Sequence, residues 1–269
     1  MFKDKVVLIT GGSSGLGLGM AHVFCEEKAR IILLARNKEK LLSAQSLLKS
    51  KYPSSDVTIH SLDLANRNDL EKEMSNVLKD HQRLDVLVNC AGILAEGYFE
   101  NMPIETFKDV MNTNFIALVS LTKAALPYLK QSKGRIVNVA SMASFIGSFG
   151  YTSYTASKFA LLGFSESLRY ELKPQGINLH VVCPPEFEGP MVDGISENRT
   201  PENRFLVRSA GVLTVEQVVK ETFAGIRKGK FIIPTGRNAR LIRLLNRLFP
   251  GIVRWYVDST IRKVYVGPT

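Results

Sequence analysis

The sequence predicts a single α/β domain: a doubly wound, seven-stranded parallel sheet flanked by helices. Three observations predict it. Short apolar runs recur along the chain without polar alternation, as in strands buried on both faces. Longer segments of helical spacing separate these runs, which makes βαβ units with right-handed crossovers. With 269 residues, 45% of them hydrophobic, the chain can fill one large core.

The expected strands are Val6 to Thr10, Arg30 to Ala35, Val57 to Leu62, Val86 to Cys90, Arg135 to Ala140, Asn178 to Cys183 and Phe231 to Pro234. The expected helices are Leu16 to Lys28, Asn37 to Ser50, Asn66 to Lys79, a long stretch from Pro103 to Lys130, Tyr151 to Lys173, and Val215 to Lys228. Residues 184–212 are polar, with several prolines and glycines, and read as irregular. The one composition shift comes after Pro234. It divides a domain of residues 1–234, including the 184–212 loop, from a basic amphipathic extension of residues 235–269.

Composition narrows the function classes. No apolar run is long enough to span a bilayer. The N-terminus runs through charged residues and a short strand into glycines, which is no signal peptide. Cys25, Cys90 and Cys183 are scattered and odd in number. With no C-x-x-C and no histidine cluster, that argues against a metal site or a disulfide framework and fits a reducing, cytoplasmic setting. His22, His60, His81 and His180 are isolated and read as structural or surface residues. The net charge of +10 gathers near the C-terminus in Arg237, Arg240, Arg243, Arg247, Arg254, Arg262 and Lys263. Such a stretch suits nucleic acid, an anionic membrane face or a plain solvated helix surface.

The first strand runs into Thr10-Gly11-Gly12-Ser13-Ser14-Gly15-Leu16-Gly17 and then a helix. In that strand–helix context the glycines read as the phosphate-binding turn of a Rossmann fold. Gly11 permits the turn. Gly15 and Gly17 let the backbone approach a diphosphate, which would face the free N–H groups and dipole of the helix. A tight turn with no ligand would look the same in isolation. The end of the second strand, Ala35-Arg36-Asn37-Lys38, lacks the acid that would bind a ribose 2′-hydroxyl. Arg36 can instead pair with a 2′-phosphate, Ser13 and Ser14 add hydroxyl donors, and Lys38 or Lys40 adds charge. The cofactor expected is therefore NADP(H).

Tyr154 and Lys158 lie four residues apart on an expected helix and so share one face. Neutral Tyr154 can give a proton to a developing alkoxide. An ammonium nearby favours the phenolate left behind and can also reach ribose hydroxyls. Ser141 follows the fifth strand, where its hydroxyl can polarise the same carbonyl. Any one of these features is weak alone. Nucleotide loop, serine, tyrosine and lysine in that order describe hydride transfer to or from a carbonyl.

These residues, with Asp63, Asn89-Cys90-Ala91-Gly92 and Asn114, resemble the short-chain dehydrogenase/reductase family over nearly the whole chain. The resemblance implies that Asp63 and Leu64 contact adenine and that Asn89 to Gly92 wall its ribose. It also implies that Asn114 holds a helix kink and a water relay to Lys158, and that Pro184 joins the cofactor site. Dimers or tetramers would form through the helices at 103–130 and 151–173. A closer resemblance is to 3-ketodihydrosphingosine reductases. It rests on Ala35-Arg36-Asn37, Asn89 to Gly92, Pro184-Pro185, and Glu197-Asn198-Arg199-Thr200 followed by Pro201-Glu202. It implies an NADPH-dependent reductase of a lipid-like ketone. Two departures stand out. Gly189 falls where the family places a threonine that holds the nicotinamide carboxamide. The membrane-spanning segment that eukaryotic relatives carry ahead of the first strand is missing.

Phe145, Ile146, Phe149, Phe187, Met191 and Phe205 read either as the apolar trough for such a ketone or as ordinary core. Glu186 or Glu188 could meet a substrate ammonium. In the tail, Leu241, Leu244, Leu245 and Leu248 share one helical side, Arg240, Arg243 and Arg247 another, and Pro250-Gly251 is expected to end the helix before Trp255 and Tyr256. The tail would then lie peripherally on a membrane, or pack on the sheet or a neighbouring subunit, with no nucleic-acid partner. The competing readings are a reductase of another hydrophobic ketone, such as a steroid or oxoacyl thioester, and a nucleotide-binding sensor without turnover.

Overall fold

A computed structural model describes residues 1–65, 69–196 and 199–267. Its sheet has seven parallel strands: β1 (Val6–Thr10), β2 (Arg30–Ala35), β3 (Val57–Ser61), β4 (Val86–Asn89), β5 (Arg135–Val139), β6 (Asn178–Cys183) and β7 (Ile232–Pro234). Their spatial order is β3-β2-β1-β4-β5-β6-β7, so the winding reverses between β1 and β4. Both faces of each strand must be covered, because the apolar runs do not alternate. Val7 and Ile9 of β1 pack under α1 (Gly15–Glu26) and α2 (Lys38–Lys51), where Phe2, Phe24 and Phe223 meet edge to face. Val6 and Leu8 point the other way, into the core beneath α3 (Leu70–His81) and the two longest helices.

The long stretch after β4 is helical but not one α-helix. It comprises α4 (Ile104–Met111), a π-helical segment over Asn112–Ile116, and α5 (Ala117–Ser132). α6 (Thr152–Leu172) precedes β6. Outward faces of α4 to α6 leave Ile104, Ile116, Phe159 and Tyr170 exposed, on the side where the resemblance implies assembly.

One expectation is corrected. The 184–212 segment holds two helices, α7 (Pro190–Ser196) and α8 (Pro201–Ala210). Each begins at a proline, whose missing N–H costs nothing in a first helical turn. Pro250 does the same in the tail. α9 (Val215–Arg227) leads through β7 to α10 (Arg237–Leu248), which stops just ahead of Pro250-Gly251 as expected, and Pro250 then opens a further helix, α11 (Pro250–Val264). Asn66, the expected start of α3, and Glu197-Asn198 lie outside the described residues.

At the sheet end away from the glycine turn, Asp85 sets the β1–β4 register. Its carboxylate accepts from the Val6 N–H (3.0 Å), Lys5 Nζ (3.0 Å) and Arg83 Nε (2.8 Å). Burial alone would raise this carboxyl, but the donors from Arg83, Val6 and Lys5 prevail and hold it below the ordinary carboxylate range. Asp85→Ala should cost about 2 kcal/mol in urea unfolding at neutral pH, much of it from the orphaned Val6 N–H. With a depressed folded pKa, that stabilisation is complete above the ordinary carboxylate pKa and fades as pH falls through the lower folded value. The gap between wild type and variant should therefore close in acid; a gap independent of pH would contradict the assignment.

Candidate active site

β1 ends in a residue whose hydroxyl holds the crevice open. Thr10 Oγ1 accepts from the N–H groups of Cys90 and Ala91, both at 3.0 Å. The chain then turns through Gly11 at φ +68°. Gly17 is required by closeness: a Cβ there would stand 2.3 Å from the Gly11 carbonyl oxygen. α1 starts at Gly15 with no side-chain cap from Ser14. Its first N–H groups and its dipole are thus turned toward the crevice, an environment suited to an anion.

The crevice is a cavity of about 660 Å³ at the carboxyl ends of the strands, where the winding reverses. Of the residues expected for cofactor binding, Gly11, Ser14, Gly15, Leu16, Gly17, Arg36, Ala91, Gly92 and Pro184 line it. Ser141, Tyr154 and Lys158 line its inner wall.

Other candidates stand behind the wall or away from it. Thr10 spends its hydroxyl on the β1–β4 junction. The Asn89 amide is buried and donates to Thr122 and Asn138. Asn114 occupies the π-helical segment, a frequent marker of functional positions. Its Oδ1 accepts from the Ile93 N–H (2.8 Å), and its Nδ2 donates to the Ile93 carbonyl (2.9 Å) and Ser157 Oγ (3.1 Å). It therefore staples α6 to the β4 loop. Leu64 is buried, Asp63 is exposed and accepts from the Ala65 N–H, and Ser13 and Lys40 do not line the cavity.

At the reacting centre the electrostatics follow from burial. Lys158 is 5% exposed, and its Nζ donates to the Val139 carbonyl at 3.0 Å. Desolvation brings its pKa down to about 8, with Cys90 and Cys183 opposing. The Tyr154 phenol, walled by protein, is pushed up to about 12 by desolvation; a hydrogen bond with Ser141 opposes, and Cys90 and Glu186 add to the rise. Lys158 Nζ stands 5.4 Å from the Tyr154 ring centroid. Before transfer, burial sets the direction of the Tyr154 shift. Tyr154 thus holds its proton at neutral pH, the form a donor needs. Ser141, whose Oγ also accepts from the Ala143 N–H at 3.1 Å, is placed beside it at the end of β5.

The apolar wall was half legible. Ile146, Phe187 and Met191 line the cavity. Phe145 packs on the core beneath Arg243, Phe149 stacks on Tyr98 and Tyr265, and Phe205 is exposed. Sequence reasoning missed Leu206 and Val207 of α8, and Ile242, Val253 and Val257 of the tail, all of which line the cavity. Their helical spacing marks them as apolar but does not say which helix they face. Asn246 Nδ2 fastens α10 to the Phe145 carbonyl at 2.7 Å.

The profile of the short chain dehydrogenase family matches residues 5–200. The chain belongs to the short-chain dehydrogenase family. It is 32% identical over 244 residues to the 3-ketodihydrosphingosine reductase of Bos taurus, covering 89% of this chain and 73% of that protein. It is 34% identical over 247 residues to the 3-dehydrosphinganine reductase of Danio rerio, again covering 89% and 73%. Its fold superimposes on a short-chain dehydrogenase from Sphingobium yanoikuyae, solved in complex with NADPH, with a TM-score of 0.76, 26% identity and coverage of 96% of this chain and 94% of that one. As a member of this family the protein is an oxidoreductase. Gly189, at the expected threonine position, offers no hydroxyl; its carbonyl accepts from Val192 and Asp193 to start α7.

Tyr154→Phe should lower ketone reduction by about 100-fold or more with the fold intact. Because Lys158 loses its proton as pH rises through about 8, wild-type reduction should decline across that range. A variant with near-normal kcat, or a profile flat through that range, would contradict these roles.

Proposed function

We propose that the protein is an NADPH-dependent reductase of a long-chain amino ketone, 3-ketodihydrosphingosine. The observation that carries this is one cavity holding the glycine turn and Arg36 at one end, protonated Tyr154 and Ser141 in the middle, and aliphatic side chains of α8, α10 and α11 at the other. The residues at the first end suit a phosphorylated dinucleotide. The α1 N-terminus meets a diphosphate, and Arg36, exposed at the end of β2 with no acid beside it, meets a 2′-phosphate. When bound, the nicotinamide supplies hydride to the carbonyl carbon. Ser141 polarises the carbonyl oxygen, Tyr154 delivers the proton to it, and the Lys158 ammonium stabilises the phenolate that remains. The names of the relatives from Bos taurus and Danio rerio support the substrate.

The tail brings this cavity to a lipid surface. Leu241, Leu244, Leu245, Leu248, Ile252 and Trp255 are exposed, so the leucine side of α10 does not pack on the sheet. Tyr256, itself half exposed, reaches from that surface to the cavity lining. Arginines at 247, 254 and 262 give the hairpin the charge that anionic headgroups attract. No helix among the described residues is long and apolar enough to cross a membrane.

Oxidation of NADPH by 3-ketodihydrosphingosine, followed at 340 nm in about 0.1 M salt, tests the activity. Arg36→Ala should weaken NADPH by about 1.5–3 kcal/mol in KM terms and leave NADH nearly unchanged. Equal effects on both cofactors would place Arg36 outside the phosphate site.

Vesicle co-sedimentation tests the surface. The protein should pellet with phosphatidylglycerol vesicles at low salt and release as salt rises, and Leu244→Asp with Leu248→Asp should abolish pelleting in a folded chain. Full retention in the supernatant at low salt would refute membrane contact.

A further inference from the structure

Among the described residues, Glu186 is the sole carboxylate lining the cavity. Its position is fixed. The Glu186 carbonyl accepts from the Leu213 N–H at 3.0 Å, and the Glu188 N–H returns a bond of 3.0 Å to the Leu213 carbonyl. The side chain is nearly buried and takes a bidentate pair from Arg199, with Nη1 at 2.9 Å and Nη2 at 2.6 Å. Arg199 Nη2 also donates to the Tyr151 hydroxyl at 3.2 Å, and the Tyr151 ring meets the Tyr154 ring edge to face at 5.7 Å. The carboxylate is thereby tied, through one guanidinium and one phenol, to the wall that carries the proton donor.

The charges around this pair do not cancel. Glu96 acts on the same guanidinium from the loop after β4, where it accepts from the Thr200 N–H and hydroxyl. Two carboxylates therefore share one guanidinium, while Lys158 and Arg36 are the cations on the cavity wall itself. The Tyr151 and Tyr154 phenols both lie within reach of the Glu186 charge. A carboxylate held rigidly by Arg199 on the cavity wall favours a cation on the substrate itself.

We propose that Glu186, oriented by Arg199, binds the ammonium of an α-amino ketone and so sets this cavity's preference for amino over plain ketones. The assignment rests on the substrate reading above. 3-Ketodihydrosphingosine carries its amino group on the carbon beside the ketone, so an oxygen held at Tyr154 leaves the ammonium within the same end of the cavity. Arg199 occupies one lone pair on each Glu186 oxygen, and each oxygen keeps another for a second donor. The Arg199 side chain, 7% exposed, is a positioning residue: it keeps the carboxylate aimed.

The test compares two ligands that differ only in the amine. A short-chain 2-amino-1,3-diol and the matching alkane-1,3-diol are titrated calorimetrically into the full-length protein with saturating NADP⁺. Wild type should prefer the amine by about tenfold or more, Glu186→Gln should reduce the preference to about threefold or less, and Glu186→Asp should keep part of it. Equal binding of the two diols to wild type, or an undiminished preference in folded Glu186→Gln, overturns the proposal; the wild-type comparison decides even where the variant fails to fold. Turnover of 3-ketodihydrosphingosine tests the underlying reading separately. Turnover with equal diol binding removes the Glu186 assignment alone, whereas no turnover and no binding of either diol removes both.

Discussion

Thr10 ends the first strand with a hydroxyl that never reaches the cavity, yet the site depends on it. By accepting from two successive N–H groups of the β4 loop, it holds together the adjacent strands between which the winding reverses. Gly11 lies so close to Ala91 that a Cβ would stand 3.0 Å from its Cα. From this junction the glycine turn departs on one side and Cys90 to Leu94 on the other, and the gap between them is the cavity. A crevice at this point follows from parallel strands whose helices cover opposite faces. The hydroxyl fixes its width.

Around that crevice, burial does the electrostatic tuning. Lys158 is buried and given one carbonyl partner, so its proton is held loosely; the Tyr154 phenol lies against the same low-dielectric wall and holds its proton tightly. Both shifts come from the same low-dielectric surroundings acting on groups of opposite charge type. Asn114 supports this arrangement at a distance. It uses both ends of its amide to fasten the β4 loop and α6 across the π-helical segment, which keeps the helix bearing Tyr154 and Lys158 against the crevice.

The outer half of the cavity is assembled from segments far apart in the chain. Glu202 at the start of α8 accepts from the Tyr98 hydroxyl at 3.0 Å and from the Val266 N–H at 2.8 Å, joining the β4 loop, the 184–212 segment and the end of the tail. Asn203 donates to the Phe149 carbonyl at 2.6 Å. The stretch from Arg199 to Asn203 therefore acts as a latch. Arg199, Thr200, Glu202 and Asn203 each hold a partner from a distant segment, and the cavity takes its shape from where those partners lie.

The chain by itself determined the alternation of strand and helix, the parallel sheet, and the order of glycine turn, Ser141, Tyr154 and Lys158. Those features are local: apolar runs without alternation, a four-residue helical spacing, and glycines between a strand and a helix. The sequence also marked Arg36 as a basic residue where an acid would select the other cofactor form. It could not show that Thr10 and Asn89 turn inward, that Pro190, Pro201 and Pro250 open helices, or that the leucine side of α10 faces out while Ile242 lines the cavity. An amphipathic helix announces two faces but not which neighbour each will meet. Nor does a tyrosine–lysine pair reveal whether burial or charge governs its protons. Both depend on contacts between residues distant along the chain, and only the tertiary structure decided them.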